Sequence, residues 1–84
     1  MPLSELAVPN RVVGERQVRK ALKGKKLEKL FVAEDANRKR IEPLIALAEE
    51  SGIGVESVLS MQMLGRACAI SRGASVAGVI KYKI

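Results

Sequence analysis

A short basic segment, residues 15–23, carries side chains that could bind a polyanion. Arg16, Lys20 and Lys23 are spaced i, i+4 and i+7, so on a helix they share one outer face. Gln17, one turn from Lys20, has an amide with two donors and an acceptor that could read the edge of a nucleobase. A lysine ammonium suits guanine O6 and N7 or a phosphate oxygen. Backbone N–H groups at the start of the helix would add a phosphate-binding point.

The charge distribution points in the same direction. A formal net charge of +6 in 84 residues favours polyanionic partners, nucleic acid first, through long-range attraction and counterion release. Residues 11–40 contain eleven Lys and Arg and four acids, whereas residues 41–65 contain four acids and no base. We therefore expect one side of the molecule to be basic. The alternative interpretation is a charged surface that only keeps the protein soluble.

The residue types argue against catalysis and metal binding. The chain has no His and a single Cys, Cys68, so it lacks an internal disulfide, a set of zinc ligands and the commonest general base. Glu34 and Asp35 are adjacent at a predicted strand end, where neighbouring side chains point in different directions, and nothing else completes an active site around them. We expect no enzymatic activity, no metal and no cofactor.

The remaining composition bounds the class of protein. At 84 residues we expect one domain, residues 1–84, with an aliphatic core. Aromatic residues are limited to Phe31 and Tyr82, which argues against the stacking platforms of many single-strand binders. No leader-like start and no run of about 18 apolar residues is present, so we expect a soluble cytoplasmic protein.

The positioning of these residues depends on alternating helices and strands, which predict an α/β domain with helices covering a mixed sheet. Strands are predicted over residues 11–13, 27–33, 54–59 and 75–83. Helices are predicted over residues 15–23, from near Pro43 to Ser51-Gly52, and from Met61 to Cys68 with Ser60 as N-cap. Gly24 is predicted to end the first helix in the left-handed conformation. Glu34 to Asn37 and Ile70 to Ala74 are predicted turns or loops.

Helical spacing predicts which side chains face the core. In the first helix these are Val18, Ala21 and Leu22, which leaves the basic residues outside. The second helix would bury Leu44, Leu47 and Ala48 together with Ile45, and the third Met61, Leu64, Ala67 and Cys68. The apolar run from Leu30 to Ala33 is typical of a strand covered on both faces. For Gly65, tight packing of its helix is favoured over close approach of the backbone to a ligand.

Four blocks occur in order along nearly the whole chain: Gly14 with Gln17, Lys20, Ala21 and Leu22; residues 32–36; residues 64–68; and residues 70–76. Together they resemble the kink-turn RNA-binding ribosomal protein superfamily, which includes the archaeal large-subunit kink-turn binder and short bacterial homologues. This resemblance implies a three-layer α/β/α sandwich around a mixed, roughly four-stranded sheet.

The resemblance also implies a function, the binding of a kink-turn, a bent RNA in which a bulge is followed by sheared G·A pairs. The helix after Gly14 would enter the widened groove, and the loop after Cys68 would cover nucleotides at the bulge. The implied RNA-binding residues are Gly14, Glu15, Arg16, Gln17, Lys20, Lys23, Glu34, Asp35, Ile70, Ser71, Arg72, Gly73 and Ala74. Both stretches must then lie on one surface.

The sequence leaves the individual base contacts and the role of two arginines open. Many superfamily members have Asn and Glu at the positions of Arg16 and Gln17, while the bacterial branch tends towards Lys and Gln, so the individual base contacts are less defined than the face. Arg66 and Arg72 could each contact phosphate or be solvated. A monomer that binds ribosomal or riboswitch RNA is the first hypothesis, and a protein-interaction module on the same scaffold is the alternative.

Overall fold

A computed structural model describes residues 6–81 and contains seven alternating elements. They are β1 (Arg11–Val13), α1 (Glu15–Lys23), β2 (Leu27–Ala33), α2 (Arg38–Glu50), β3 (Gly54–Val58), α3 (Met61–Ala67) and β4 (Val76–Ile80). The predicted bounds of β1, α1 and β2 are confirmed. β3 ends one residue before the predicted Leu59, and β4 is shorter than the predicted 75–83, of which residues 82 and 83 lie outside the described part.

The four strands form one mixed sheet in the order β1-β4-β2-β3. β2 and β3 are parallel and are joined through α2, as a crossover connection requires. β4 lies between β1 and β2 and is antiparallel to both. The predicted mixed four-stranded sheet is confirmed, and β1 and β3 are its two edges.

Helices cover both faces of this sheet. The consecutive β2 residues from Leu30 to Ala33 are all buried, and alternate side chains of a strand point to opposite faces. α1 contacts α2, β1, β2 and β4, whereas α3 contacts β2, β3 and β4. The protein is therefore a three-layer α/β/α sandwich, as predicted.

The start of α2 differs from the prediction. The helix begins at Arg38, five residues before Pro43, and its N-cap Asn37 accepts a hydrogen bond from the Lys39 N–H at 3.0 Å. This cap and the burial of Ile41 against the core stabilise an additional first turn. Pro43 lies inside the helix, where it removes the one hydrogen bond that its missing N–H would donate to the Lys39 carbonyl.

The predicted core positions are largely confirmed. Val18, Ala21 and Leu22 are buried in α1, and Leu64 and Cys68 are buried at α3, with Met61 and Ala67 partly buried beside them. In α2, Leu44 and Ala48 are buried, while Ile45 and Leu47 are half-buried. Fully buried residues that the predicted core positions did not include are Leu6, Leu27, Ile41 and Ala77.

The prediction that Gly24 takes the left-handed conformation is wrong. Gly24 has an ordinary φ of −83°, and Lys25 takes the left-handed position with a φ of 56°. The Lys26 N–H donates to the Ala21 carbonyl at 2.9 Å, and the Lys25 N–H donates to the Leu22 carbonyl at 3.1 Å. These are the two hydrogen bonds of a Schellman motif, in which the residue after the cap is left-handed. Gly24 thus lies one residue before the position that takes the left-handed conformation.

α2 and α3 end in the same way. Gly52 follows the α2 cap with a φ of 72°, and Ala69 follows the α3 cap with a φ of 61°. After α3, the Ile70 N–H donates back to the Gly65 carbonyl at 3.1 Å. Two of the three helices therefore place a residue with a side chain where glycine is usual, at a cost in conformational energy.

We expect Lys25→Gly to stabilise the protein by about 0.5–1 kcal/mol. Relief of the left-handed conformation at a non-glycine residue, about 1–2 kcal/mol, should exceed the entropic cost of glycine, about 0.5–1 kcal/mol. Urea denaturation measures the change. Gly52→Ala, at the matching position of α2, should have the opposite sign. Destabilisation by Lys25→Gly would contradict this account of the helix end.

Candidate nucleic-acid interface

The turn that begins α1 is fixed to the start of β4. Gly14 has φ 93° and ψ 160°, a region that is open essentially to glycine alone. Its N–H donates to the Val76 carbonyl at 2.9 Å, and its carbonyl accepts the Val18 N–H at 3.0 Å. Because β4 begins at Val76, two residues after the loop of residues 70–74 ends, the start of α1 lies beside that loop.

α1 presents its polar side chains outward, as predicted. Arg16, Gln17, Lys20 and Lys23 are exposed, while the opposite face of the helix is buried. We call these four residues the α1 face. Among residues 6–81, no side chain caps the N-terminus of this helix, whose own cap residue is Gly14.

The amide of Gln17 has a defined orientation. β1 is an edge strand, and since Gly14 bonds to β4, the preceding Val13 N–H points to the open side. Gln17 Oε1 accepts that N–H at 3.2 Å. A backbone N–H can only donate, so the amide oxygen faces the strand and the NH2 group, with two donors, points away from it.

Glu15, also among the predicted site residues, is engaged within the protein. Its carboxylate oxygens lie 3.0 and 3.3 Å from Arg40 Nε. The pair joins α1 to α2 and lies on the flank of α1 opposite to Gln17. In this arrangement Glu15 orients α1 and offsets one cation of α2.

The predicted loop, residues 70–74, is packed closely on α3. A Cβ at Gly65 would overlap the Arg72 carbonyl group, whose carbon would be 3.0 Å away. A Cβ at Gly73 would be 3.1 Å from Met61 Cβ, and the Ala74 N–H donates to the Met61 carbonyl at 2.9 Å. The packing interpretation of Gly65 is confirmed, with the loop itself as the neighbour. Ala74 is buried and supports the loop from beneath.

Glu34 and Asp35 lie at the end of β2, next to the start of α3. Asp35 Oδ1 accepts the Met61 N–H at 2.8 Å, and Ser60 Oγ accepts the Met63 N–H at 3.1 Å. The predicted Ser60 cap is confirmed, and Asp35 is a second cap that the sequence did not reveal, because it comes from a distant turn. Glu34 is exposed.

A shallow depression, the α1–loop cavity, lies between the start of α1 and the loop. It is lined by Pro9, Arg11, Val13, Gln17, Cys68, Ile70 and Arg72. Gln17 of the α1 face therefore shares one surface with Ile70 and Arg72 of the loop, as the sequence hypothesis required. The lining contains two arginines and no acid.

The Cys68 thiol that lines this cavity is uncharged. Burial raises the pKa of the Cys68 thiol, and the nearby Arg11 lowers it to a smaller extent, so the thiol stays protonated at neutral pH. The Arg11 guanidinium donates to the Val8 carbonyl at 2.9 Å. Two arginines, Arg11 and Arg72, thus line the cavity together with an uncharged thiol.

Not all predicted residues line the α1–loop cavity. Among residues 6–81, its lining includes neither Lys23, at the far end of α1, nor Glu34 and Asp35 at the end of β2. Lys20 lines a second depression on the other side of β1. Arg66 is exposed in the last turn of α3.

Within residues 6–81, no group of three or more His, Cys, Asp or Glu side chains could hold a metal ion. In the same residues, no helix has the length and apolar character needed to cross a membrane.

Comparison with known proteins agrees with the fold. A sequence model of the ribosomal protein L7Ae/L30e/S12e/Gadd45 family matches residues 5–83. An RNA-binding protein of Geobacillus kaustophilus is 40% identical over 70 residues, covering 83% of this chain and 85% of that protein. An RNA-binding protein of Caldanaerobacter subterraneus is 35% identical over 75 residues, covering 89% of this chain and 92% of that protein.

Two solved structures are also similar. A Bacillus halodurans protein of unknown function has a TM-score of 0.80 and 30% identity, covering 92% of this chain and 81% of that one. The 15.5kD RNA-binding protein of Giardia lamblia has a TM-score of 0.85 and 24% identity, covering 96% of this chain and 69% of that one. The second likeness concerns the fold alone.

We expect Gly65→Ala to displace the loop and to destabilise the protein by about 1–3 kcal/mol, because the added methyl group meets backbone atoms that must move. Urea denaturation gives the stability, and amide chemical shifts of residues 70–74 report the displacement. Gly54→Ala is the control, since a Cβ there meets nothing within 4 Å. Unchanged loop shifts in Gly65→Ala would contradict the packing described.

Proposed function

Because the chain belongs to the ribosomal protein L7Ae/L30e/S12e/Gadd45 family, we propose that it is a non-enzymatic RNA-binding protein that recognises and stabilises kink-turn RNA. Relatives at 35% to 40% identity bear the name RNA-binding protein. The observation that carries the proposal is the α1–loop cavity, in which Gln17, Ile70 and Arg72 meet.

The chemistry of this surface suits a bent RNA. The Gln17 NH2 group can donate to guanine O6 or N7. Ile70 gives a splayed base an apolar surface, and the arginines at the rim face phosphates that a kink brings close together. A protein surface that holds the Gln17 donor and the apolar loop side by side binds the bent form of the RNA better than the extended form. This difference in affinity stabilises the kink.

The loop is preorganised for such binding. It is held to α3 by the Ala74 to Met61 hydrogen bond and by contact of its backbone with Gly65, and α3 is itself capped by Asp35. Little conformational entropy then remains to be lost when RNA is bound. The left-handed Ala69 directs the chain from α3 into the loop, at a conformational cost that the surrounding contacts offset.

The α1 face would extend the contact beyond the cavity. Arg16 lies in the first turn of α1, and Lys20 and Lys23 follow along the exposed side. Uncapped N–H groups at the start of the helix favour an anion there. On this view Gln17 reads a base edge, while Arg16, Lys20 and Lys23 contact phosphates.

We further propose that the protein acts in the cytoplasm as a monomeric single domain, and that its target is ribosomal or riboswitch RNA.

The alternative function is that of a protein-interaction module, and one observation supports it. Leu59 and Met63, around the start of α3, are exposed by 69% and 38%. These residues do not line the α1–loop cavity, so the two functions would use different surfaces.

We expect Gln17→Ala and Lys20→Ala each to weaken kink-turn binding by about 1–3 kcal/mol, because each removes a base or phosphate contact. Binding is measured by calorimetry and the fold by circular dichroism.

The matched control is Lys39→Ala on α2, an exposed lysine outside the α1 face. It removes the same charge as Lys20→Ala and should change the affinity much less. If Gln17→Ala, Lys20→Ala and Lys39→Ala all bind a kink-turn as tightly as the unmodified protein, the proposed interface is wrong.

Salt dependence distinguishes RNA binding from the protein-interaction alternative. The logarithm of the kink-turn affinity should fall linearly with the logarithm of salt concentration, by about 0.7–0.9 for each phosphate neutralised. Lys20→Ala should reduce this slope by about 1. A kink-turn affinity that does not respond to salt would favour the protein-interaction module.

A further inference from the structure

A second depression, the edge groove, lies between α1 and the outer edge of the sheet. It is lined by Val12, Gln17, Lys20, Ala21, Gly24, Lys26 and Ile80. We propose that this groove binds one unpaired nucleotide of an RNA strand that continues from the α1–loop cavity. The proposal rests on RNA binding as the function and adds a subsite for single-stranded RNA next to the kink.

The groove follows from the topology. In the described part of the chain, β1 has three residues and no strand on its outer side, whereas α1 has nine residues and contacts both β1 and β4. α2 packs on the other flank of α1, where Arg40 pairs with Glu15. The flank that bears Gln17, Ala21 and Gly24, spaced i, i+4 and i+7, is left without a packing partner from α2.

The floor of the groove suits the flat face of a nucleobase. Val12 and Ile80 are half-buried and Ala21 is buried, so the floor is aliphatic. Gly24 has no side chain to fill the end of the groove. A Cβ there would be 3.4 Å from the Lys20 carbonyl oxygen and 3.8 Å from the Lys26 side chain, which are ordinary van der Waals distances, so there is room for an added methyl group at Gly24.

The rim of the groove suits a phosphate. Lys20 on α1 and Lys26 after it are exposed on the two sides, and none of the seven lining residues is acidic. An aliphatic floor below two ammonium groups matches a nucleotide, which joins an apolar ring face to an anion. An apolar peptide would use the floor alone and leave both cations without a partner.

Gln17 connects the groove to the α1–loop cavity, because it lines both. Val12 faces the groove and Val13 faces the cavity, as neighbouring residues of a strand must. The two depressions are therefore on opposite sides of β1, with the Gln17 side chain lying across the strand and held there by the Val13 N–H. An RNA strand that crosses the edge at Gln17 can occupy both.

The test compares a blunt kink-turn RNA with versions that carry about four unpaired uridines at either end, near the smallest site size of single-strand binders. With the full chain, at least one tailed RNA should bind about five- to tenfold more tightly than the blunt RNA. Lys26→Glu should abolish this gain. Val12→Thr, which keeps the shape of the strand residue but adds a hydroxyl to the floor, should reduce it.

Lys39→Glu on α2 is the control, since it changes the net charge of the protein by the same amount as Lys26→Glu. It should retain the gain from the tail, and its affinity for blunt RNA should match that of Lys26→Glu within about twofold, because both lose the same long-range attraction. Equal binding of blunt and tailed RNAs by the unmodified protein, or a gain that persists in Lys26→Glu, would overturn the proposal.

The two proposals can fail separately. If the blunt kink-turn is not bound, kink-turn recognition fails, and the groove is tested with a short uridine oligonucleotide alone by amide chemical shifts. Shifts confined to the surroundings of Val12, Ala21 and Ile80, and absent in Lys26→Glu, would support the groove. Shifts elsewhere, or none at millimolar oligonucleotide, would refute it.

Discussion

The hydrogen bond from the Gly14 N–H to the Val76 carbonyl joins the two parts of the candidate interface. On one side of this bond α1 begins, and on the other the loop of residues 70–74 ends. The bond requires φ 93° with an extended ψ at residue 14, which a side chain would oppose. A glycine at this position therefore fixes the distance between Gln17 and the loop, and with it the size of the α1–loop cavity.

The loop itself depends on contacts made from distant parts of the chain. Asp35, at the end of β2, caps α3, and α3 then holds the loop through the Met61 carbonyl and the bare backbone at Gly65. A change in any of these contacts would be transmitted to Ile70 and Arg72. This chain of contacts explains why a loop without helix or strand structure can present its residues in one arrangement.

The sequence predicts β1, α1 and β2 to the residue because each has a clear signal: a β-branched run, helical spacing followed by a glycine, or a continuous apolar run. The predicted start of α2 is too late because Pro43 favours the first turn of a helix, whereas the Asn37 cap and the tertiary packing of Ile41 extend this helix back to Arg38. Gly24 was misassigned by one position, since the left-handed residue follows from hydrogen bonds to Ala21 and Leu22 and not from residue type. The residues of the α1 face were identified by spacing, and the family resemblance supplied the loop. The Asp35 cap and the orientation of the Gln17 amide depend on contacts between separate elements, so no local pattern could indicate them.

Under the proposed function, a protein with two aromatic residues holds RNA without the stacking platforms that single-strand binders use. Both depressions described here combine aliphatic side chains with cations: Ile70 with Arg11 and Arg72 in the α1–loop cavity, and Val12 and Ile80 with Lys20 and Lys26 in the edge groove. An aliphatic surface makes van der Waals contact with any nucleobase and discriminates little among them. Selectivity therefore has to come from the few oriented hydrogen-bond donors and from the shape of the RNA. The Gln17 amide is such a donor, because the Val13 N–H fixes which way it faces. Its hydrogen bond to the edge strand, between both depressions, makes the geometry of β1 as important for recognition as the charge of α1.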